Sequence, residues 1–136
     1  MDFQQYQGLA GFRYALRQFV AASEVINREA GITQQQYQAL LAIKTHEGGP
    51  LSIGAFAEQL LLTHHAAVQM ADRLAKAGLT ERTRSLEDRR TVHLSLTDKG
   101  EALLNVLADK HLQEVLRQEP LLTRSLKRLR GVANGS

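Results

Sequence analysis

The 136-residue sequence contains no cysteine. This absence excludes disulfide bonds, catalysis by a thiolate and any redox sensor built on cysteine. Long hydrophobic runs are also absent, because no apolar stretch approaches the roughly 20 residues that a membrane-spanning helix needs. The first five residues lack the basic and apolar regions of a secretory signal peptide. We therefore expect a cytoplasmic protein, and a length of 136 residues fits a single domain.

Motifs of enzymes and metal sites are missing as well. The sequence has no glycine-rich phosphate loop, no nucleophile elbow and no zinc helix with paired histidines. His64 and His65 are adjacent on a predicted helix and point about 100° apart, so they chelate one ion poorly. A metal site at His111 and Glu114 is conceivable, and the alternative is an ordinary surface histidine. We expect no catalytic residue, no cofactor and no metal.

The positive charge is modest but unevenly distributed. The formal net charge is +3, from 17 Lys and Arg against 14 Asp and Glu. Between Arg73 and Arg90 there are six cations and three anions, so this segment alone carries a surplus of three. Clustered cations are typical of contact with nucleic-acid phosphates. A solvated surface face is the alternative interpretation.

Hydrophobic periodicity predicts long helices near both ends of the chain. Apolar residues recur at steps of three and four between residues 5 and about 29, and again between Thr97 and about Arg117. Pro120 should interrupt the second of these helices. A short helix from Leu121 to Leu129 would then follow, and residues 131–136 should be a disordered tail.

The middle of the chain carries signals for three shorter helices. Thr33 with Gln36 forms a capping-box pattern, and Gly48-Gly49-Pro50 should end that helix. Ser52 and Thr63 are predicted to cap two further helices. In the helix after Thr63, four apolar residues at helical spacing should share one buried face: Ala67, Met70, Ala71 and Leu74.

The pattern then changes to a period of two. Residues 79–84 alternate weakly and residues 91–96 alternate cleanly, with a charged segment between them. This pattern predicts a β-hairpin with a charged tip. The expected fold is mainly α with a small β-hairpin wing, which is the winged helix-turn-helix plan.

The helix after Thr63 leaves polar side chains free to face a DNA major groove. Gln69 can bond adenine in a bidentate manner, and His64 and His65 can donate to base edges or phosphates. Ala66 and Val68 suit contact with a thymine methyl group. Packing of Val68 under a neighbouring loop is the alternative.

Five blocks of the sequence resemble the signature of the MarR family of regulators, with the same spacing and no gap. They are Asp72-Arg73-Leu74, Gly78-Leu79, Arg82, Asp88-Arg89-Arg90 and Leu96-Thr97-Asp98-Lys99-Gly100. The motif region spans about residues 60 to 101. The helices on either side agree with that family in order and length.

The resemblance implies a sequence-specific DNA-binding regulator with a single domain over residues 1–136. Segments 5–30 and 98–130 would be dimerisation helices, and segment 33–97 the DNA-binding lobe. Such proteins are homodimers that bind pseudo-palindromic double-stranded operators, usually as repressors. Many release DNA when a small molecule occupies a crevice between the dimerisation helices and the lobe.

The resemblance also assigns roles at the hairpin tip. Arg90 matches an arginine that enters the minor groove, where the negative potential attracts a guanidinium. Asp88 matches an acid that orients an arginine, and turn formation is the alternative for Asp88. The full set of expected DNA contacts is Thr63, His64, His65, Ala66, Val68, Gln69, Arg73, Arg84, Asp88, Arg89 and Arg90.

A small aromatic or phenolic effector is the remaining expected partner. Its lining is predicted to include Phe12, Phe19, Tyr37 and His46, and ordinary core packing is the alternative for each. Two rival functions remain, a winged helix used only for protein contact and a small helical enzyme. Arg89 and Arg90 count against the first, and the absence of a convergent polar set counts against the second.

Overall fold

The computed structural model describes residues 1–48, 50–84 and 92–133, with side chains up to residue 131. The chain forms two compact units. The helical unit consists of Met1–Ala30 and the chain from Ala108 onward, and the lobe consists of Gly31–Leu107. Among the described residues, no helix combines the length and the apolar character that crossing a membrane requires.

The helical unit pairs helix α1 (Phe3–Glu29) with the greater part of helix α5 (Asp98–Ala133). Helix α1 begins two residues before the predicted start, because Asp2 and Gln5 form a capping box. The two helices are antiparallel: Gly8 lies beside Leu129, and Ser23 hydrogen-bonds His111. A Cβ at Gly8 would lie 2.8 Å from Leu129 Cγ, so the glycine permits this close approach.

Helix α5 differs from the prediction at two places. The expected break at Pro120 is wrong, because α5 continues through it. A proline removes one helical hydrogen bond, and burial of Gln118 and Ser125 on either side keeps both parts of the helix packed. Residues 131–133 belong to α5 rather than to a disordered tail, and residues 134–136 lie outside the described part of the chain.

The lobe contains three further helices and three short strands. In chain order they are α2 (Gln34–Thr45), β1 (Leu51–Ser52), α3 (Ile53–Leu60), α4 (His64–Lys76), β2 (Thr80–Arg84) and β3 (Val92–Leu96). The predicted caps Thr33, Ser52 and Thr63 are confirmed. Each side-chain oxygen accepts a hydrogen bond from the backbone N–H three residues later, at 3.0 to 3.1 Å.

The strands form an antiparallel sheet in the order β1-β3-β2. The predicted hairpin is confirmed, and the mainly α fold with a β wing is confirmed with it. Strand β1 was not predicted, because two residues are too few to show a period. The lobe core includes Leu40, Phe56 and Leu74, all essentially without exposed surface.

Candidate nucleic-acid interface

Helices α3 and α4 meet at a tight turn that sets the direction of α4. Leu61 ends α3 in the left-handed conformation with φ of 56°, and the Leu62 N–H donates to the Ala57 carbonyl at 2.9 Å. Thr63 then caps α4. The four apolar residues predicted to share the buried face of α4 are each at most 5% exposed, which confirms that prediction. The opposite side of α4 is therefore the side available to a partner.

The available side of α4 carries two parallel rows of residues, because residues four apart lie above one another on a helix. The outer row consists of His65, Gln69 and Arg73, and all three are exposed. The inner row consists of His64, Val68 and Asp72. His64 is exposed, whereas Val68 and Asp72 are half-buried.

The inner row borders a cavity of about 400 Å³ on the side of α4 that faces the sheet. Its lining comes from the start of α3, from α4 and from the hairpin strands: Ser52, Ile53, Gly54, His64, Val68, Arg82 and Val92. Val68 is half-buried and borders this cavity beside the sheet, and its contact with a thymine methyl group stays a prediction. Ala66 is also half-buried, and the Thr63 hydroxyl accepts the Ala66 N–H at 3.1 Å.

An ion pair joins α4 to the hairpin. The Arg82 guanidinium lies 2.6 Å from an Asp72 carboxylate oxygen. Both residues belong to the motif blocks, and the family resemblance assigns neither of them a role. The motif identifies both residues, but it does not show that they pair, because their contact depends on how β2 packs against α4.

The hairpin strands present further cations. Arg82 and Arg84 are two residues apart on β2, so they lie on the same face of the sheet. Both residues are exposed. In the pairing of β2 with β3, Arg82 lies opposite Leu94 and Arg84 lies opposite Val92. The predicted contacts Asp88, Arg89 and Arg90 lie outside the described residues.

The end of α4 is anchored by the first turn of α5. The Lys99 ammonium donates to the Ala77 carbonyl at 2.9 Å, and the Thr97 hydroxyl donates to the Gly78 carbonyl at 2.6 Å. Gly78 adopts φ of 76°, a conformation that glycine reaches without steric cost. These contacts indicate that two blocks of the motif, residues 78–79 and 96–100, hold the end of α4 in place.

The predicted effector residues are divided between the two units. Phe12 and Phe19 are half-buried in the helical unit, and Phe19 packs its ring 6.2 Å from that of His111. Tyr37 is 8% exposed in the lobe, and burial raises the pKa of its phenol. His46 is exposed at the end of α2. The burial of Tyr37 favours core packing for that residue.

His111 and Glu114, the residues considered for a metal site, each have another hydrogen-bond partner. His111 Nε2 lies 2.8 Å from the Ser23 hydroxyl oxygen, and Glu114 accepts a hydrogen bond from the Gln118 side chain at 3.2 Å. Within the part of the chain that the structure describes, no three His, Asp or Glu side chains are grouped so that they could hold a metal ion.

Comparison with known proteins gives consistent results. The MarR family model matches residues 30–91. The regulator FarR of Neisseria gonorrhoeae is 31% identical over 103 residues, covering 71% of this chain and 69% of FarR. The repressor MdtR of Bacillus subtilis is 39% identical over 71 residues, covering 52% of this chain and 44% of MdtR. For several curated relatives the match spans only about half of their length.

The fold comparison agrees. AbsC, a MarR family transcriptional regulator from Streptomyces coelicolor, superposes with a TM-score of 0.73 at 20% identity, covering 100% of this chain and 98% of AbsC. These relatives are named as transcriptional regulators and not as enzymes. The motif blocks, the α3–α4 unit with its wing, and the matches to relatives together lead to one conclusion: the chain belongs to the MarR family.

Proposed function

We propose that the protein is a sequence-specific DNA-binding transcriptional regulator that places α4 in the major groove. The observation that carries this proposal is the exposed outer row of α4, His65, Gln69 and Arg73, on a helix that is capped at one end and anchored at the other. Regular B-form DNA admits a helix in its major groove. A MepR variant from S. aureus with the same fold, at 18% identity and a TM-score of 0.69, was solved bound to an oligodeoxyribonucleotide.

Each exposed side chain supports a particular kind of contact. Gln69 and His65 would read base edges, and the positive charge of Arg73 would bind a phosphate. The roles that the family resemblance gives to Arg90 and Asp88, minor-groove entry and orientation of an arginine, remain part of the proposal. Cations in the outer row and on β2 would add affinity that falls as salt rises.

We also propose that the functional unit is a homodimer held by the helical unit. The residues buried between α1 and α5 are mostly small or polar, and they include Gly8, Ala15, Asn27, His111 and Gln118. Large apolar side chains are exposed instead: Leu9, Leu16, Leu112, Val115, Leu116 and Leu126. A second copy covering these side chains would bury apolar surface that is costly to leave in water.

A two-fold dimer would present two copies of α4 to one face of DNA. Successive major grooves lie about 34 Å apart on one side of the duplex, and this spacing fits a pseudo-palindromic operator. Repression, release by an effector and a cytoplasmic location are part of the same proposal. BpsR of Bordetella bronchiseptica, similar in fold at 22% identity, has its DNA binding regulated by 6-hydroxynicotinic acid.

The DNA-binding proposal is tested by selecting bound sequences from random duplexes. We expect a two-fold symmetric consensus sequence. Gln69→Ala should change the preferred bases, whereas Arg73→Ala should weaken binding to all sequences alike and lower the slope of log affinity against log salt by about one. Lys110→Ala, at an exposed lysine of the helical unit, is the control and should do neither. Selection that enriches no sequence would refute the proposal.

The dimer proposal is tested by sedimentation equilibrium at micromolar concentration. Replacing Leu112 and Leu116 together by Glu should convert a dimer into a monomer. Leu61→Glu is the matched control, because Leu61 is an exposed leucine of the lobe at 93% exposure. A wild-type monomer, or a dimer that survives the double replacement, would contradict this dimer surface.

A further inference from the structure

The ion pair between Asp72 and Arg82 lies at the junction of the two elements that are proposed to contact DNA. Asp72 is the last residue of the inner row of α4, and Arg82 lies on β2, the first strand of the wing hairpin. Arg82 also borders the cavity that His64 and Val68 line. The guanidinium is therefore held beside the surface of α4 that is proposed to face DNA.

The Asp72–Arg82 ion pair contributes little to folding stability. The Arg82 and Asp72 side chains are 38% and 44% exposed. An ion pair exposed to this degree contributes little to stability, because solvent screens the charges and ordering the side chains costs entropy. A short, charge-assisted bond does, however, restrict where the guanidinium points.

We infer that Arg82 is an additional DNA-backbone contact and that Asp72 is its positioning residue. This inference rests on the proposed function. Asp72 holds the Arg82 guanidinium beside α4, so that a phosphate flanking the groove meets an arginine whose position is already set. Less conformational freedom is then lost when DNA binds.

The sign of one substitution separates this inference from simple electrostatics. Asp72→Asn removes a negative charge from a surface that faces a polyanion. If Asp72 acted only through its charge on DNA, the substitution would tighten binding. If Asp72 positions Arg82, the substitution should weaken binding by about three- to tenfold, the size of coupling seen between contacting residues.

A double-mutant cycle on the selected duplex is the test, read by fluorescence anisotropy at several salt concentrations. Asp72→Asn should weaken binding in the unmodified chain and have no further effect when Arg82 is Gln. Arg82→Gln should also lower the slope of log affinity against log salt by about one, as for one lost phosphate contact. Asp72→Glu, which keeps the charge, should restore most of the affinity.

The lobe offers a matched control in the ion pair of Lys44 and Glu101, at 2.9 Å with side chains 53% and 47% exposed. Glu101→Gln should leave affinity and salt slope unchanged. Melting curves of each variant ensure that binding is compared between folded proteins. Tighter or unchanged binding by Asp72→Asn, or an equal loss in the Arg82→Gln background, would overturn the inference. Absence of binding by the unmodified chain would instead refute the proposed function.

Discussion

Gly100 lies directly against the carbonyl oxygen of Leu79, so closely that a Cβ atom at position 100 would collide with it. The same turn of α5 contributes the Lys99 and Thr97 hydrogen bonds to the residues that follow α4. The first turn of α5 therefore packs, backbone against backbone, on the residues that directly follow α4. Only a residue without a side chain permits that approach.

Gly100→Ala should destabilise the protein. The added methyl group meets a backbone atom that has no rotamer with which to move away, and such overpacking costs about 1–3 kcal/mol. Urea denaturation measures the change. Gly54→Ala is the control, because a Cβ there would have its nearest neighbour at 3.9 Å, and it should be neutral or mildly stabilising. Equal stability of the two variants would contradict the close contact.

Thr63→Ala should reduce stability by about 1 kcal/mol, because the first turn of α4 loses the acceptor for the Ala66 N–H. Thr63→Ser keeps the hydroxyl and should retain most of the stability. Thermal melting followed by circular dichroism compares the three proteins. If serine and alanine destabilised to the same extent, the methyl group of Thr63 rather than its cap would be responsible.

Ser23→Ala should destabilise the helical unit. His111 is 4% exposed and its Nε2 lies 2.8 Å from the Ser23 hydroxyl oxygen, so the substitution leaves a buried ring nitrogen without this partner. The expected cost is about 1–3 kcal/mol. Thr123→Ala removes an exposed hydroxyl that bonds Glu119 at 2.7 Å and serves as the control, with little expected effect. Chemical denaturation that ranked the two variants in the opposite order would refute this.

Tyr37 should make stability depend on alkaline pH. Burial raises the pKa of its phenol, so the folded chain holds this proton more tightly than the unfolded chain does. The contribution is complete below about pH 10, the ordinary tyrosine value, and is lost as pH rises through the folded pKa. Urea denaturation between about pH 9 and pH 11 should show a steeper decline for the unmodified protein than for Tyr37→Phe. Parallel curves would contradict the prediction.

Local signals predicted the elements of the lobe well. The caps at Thr33, Ser52 and Thr63 depend on hydrogen bonds within one helical turn, and the buried face of α4 depends on spacing alone. The hairpin followed from its period of two. Strand β1 and the continuation of α5 through Pro120 could not be predicted, since each depends on a neighbour that is distant in sequence.

The candidate interface was predicted in part. Spacing placed Gln69 and Arg73 on the free side of α4, and both are exposed. Spacing could not separate the inner row from the outer row, because their difference comes from the sheet packed beside Val68. The effector residues were chosen by residue type, with core packing as the alternative for each, and Tyr37 is a core residue.

The amino-acid sequence by itself determined where helices begin, which residues of α4 are buried and which family motif the chain carries. These properties depend on interactions between residues a few positions apart. The tertiary structure alone decided that Asp72 faces Arg82, that Gly100 meets Leu79 and that leucines of α1 and α5 are left outside. Those relationships depend on how distant segments pack, and packing selects among partners that a linear pattern leaves equivalent.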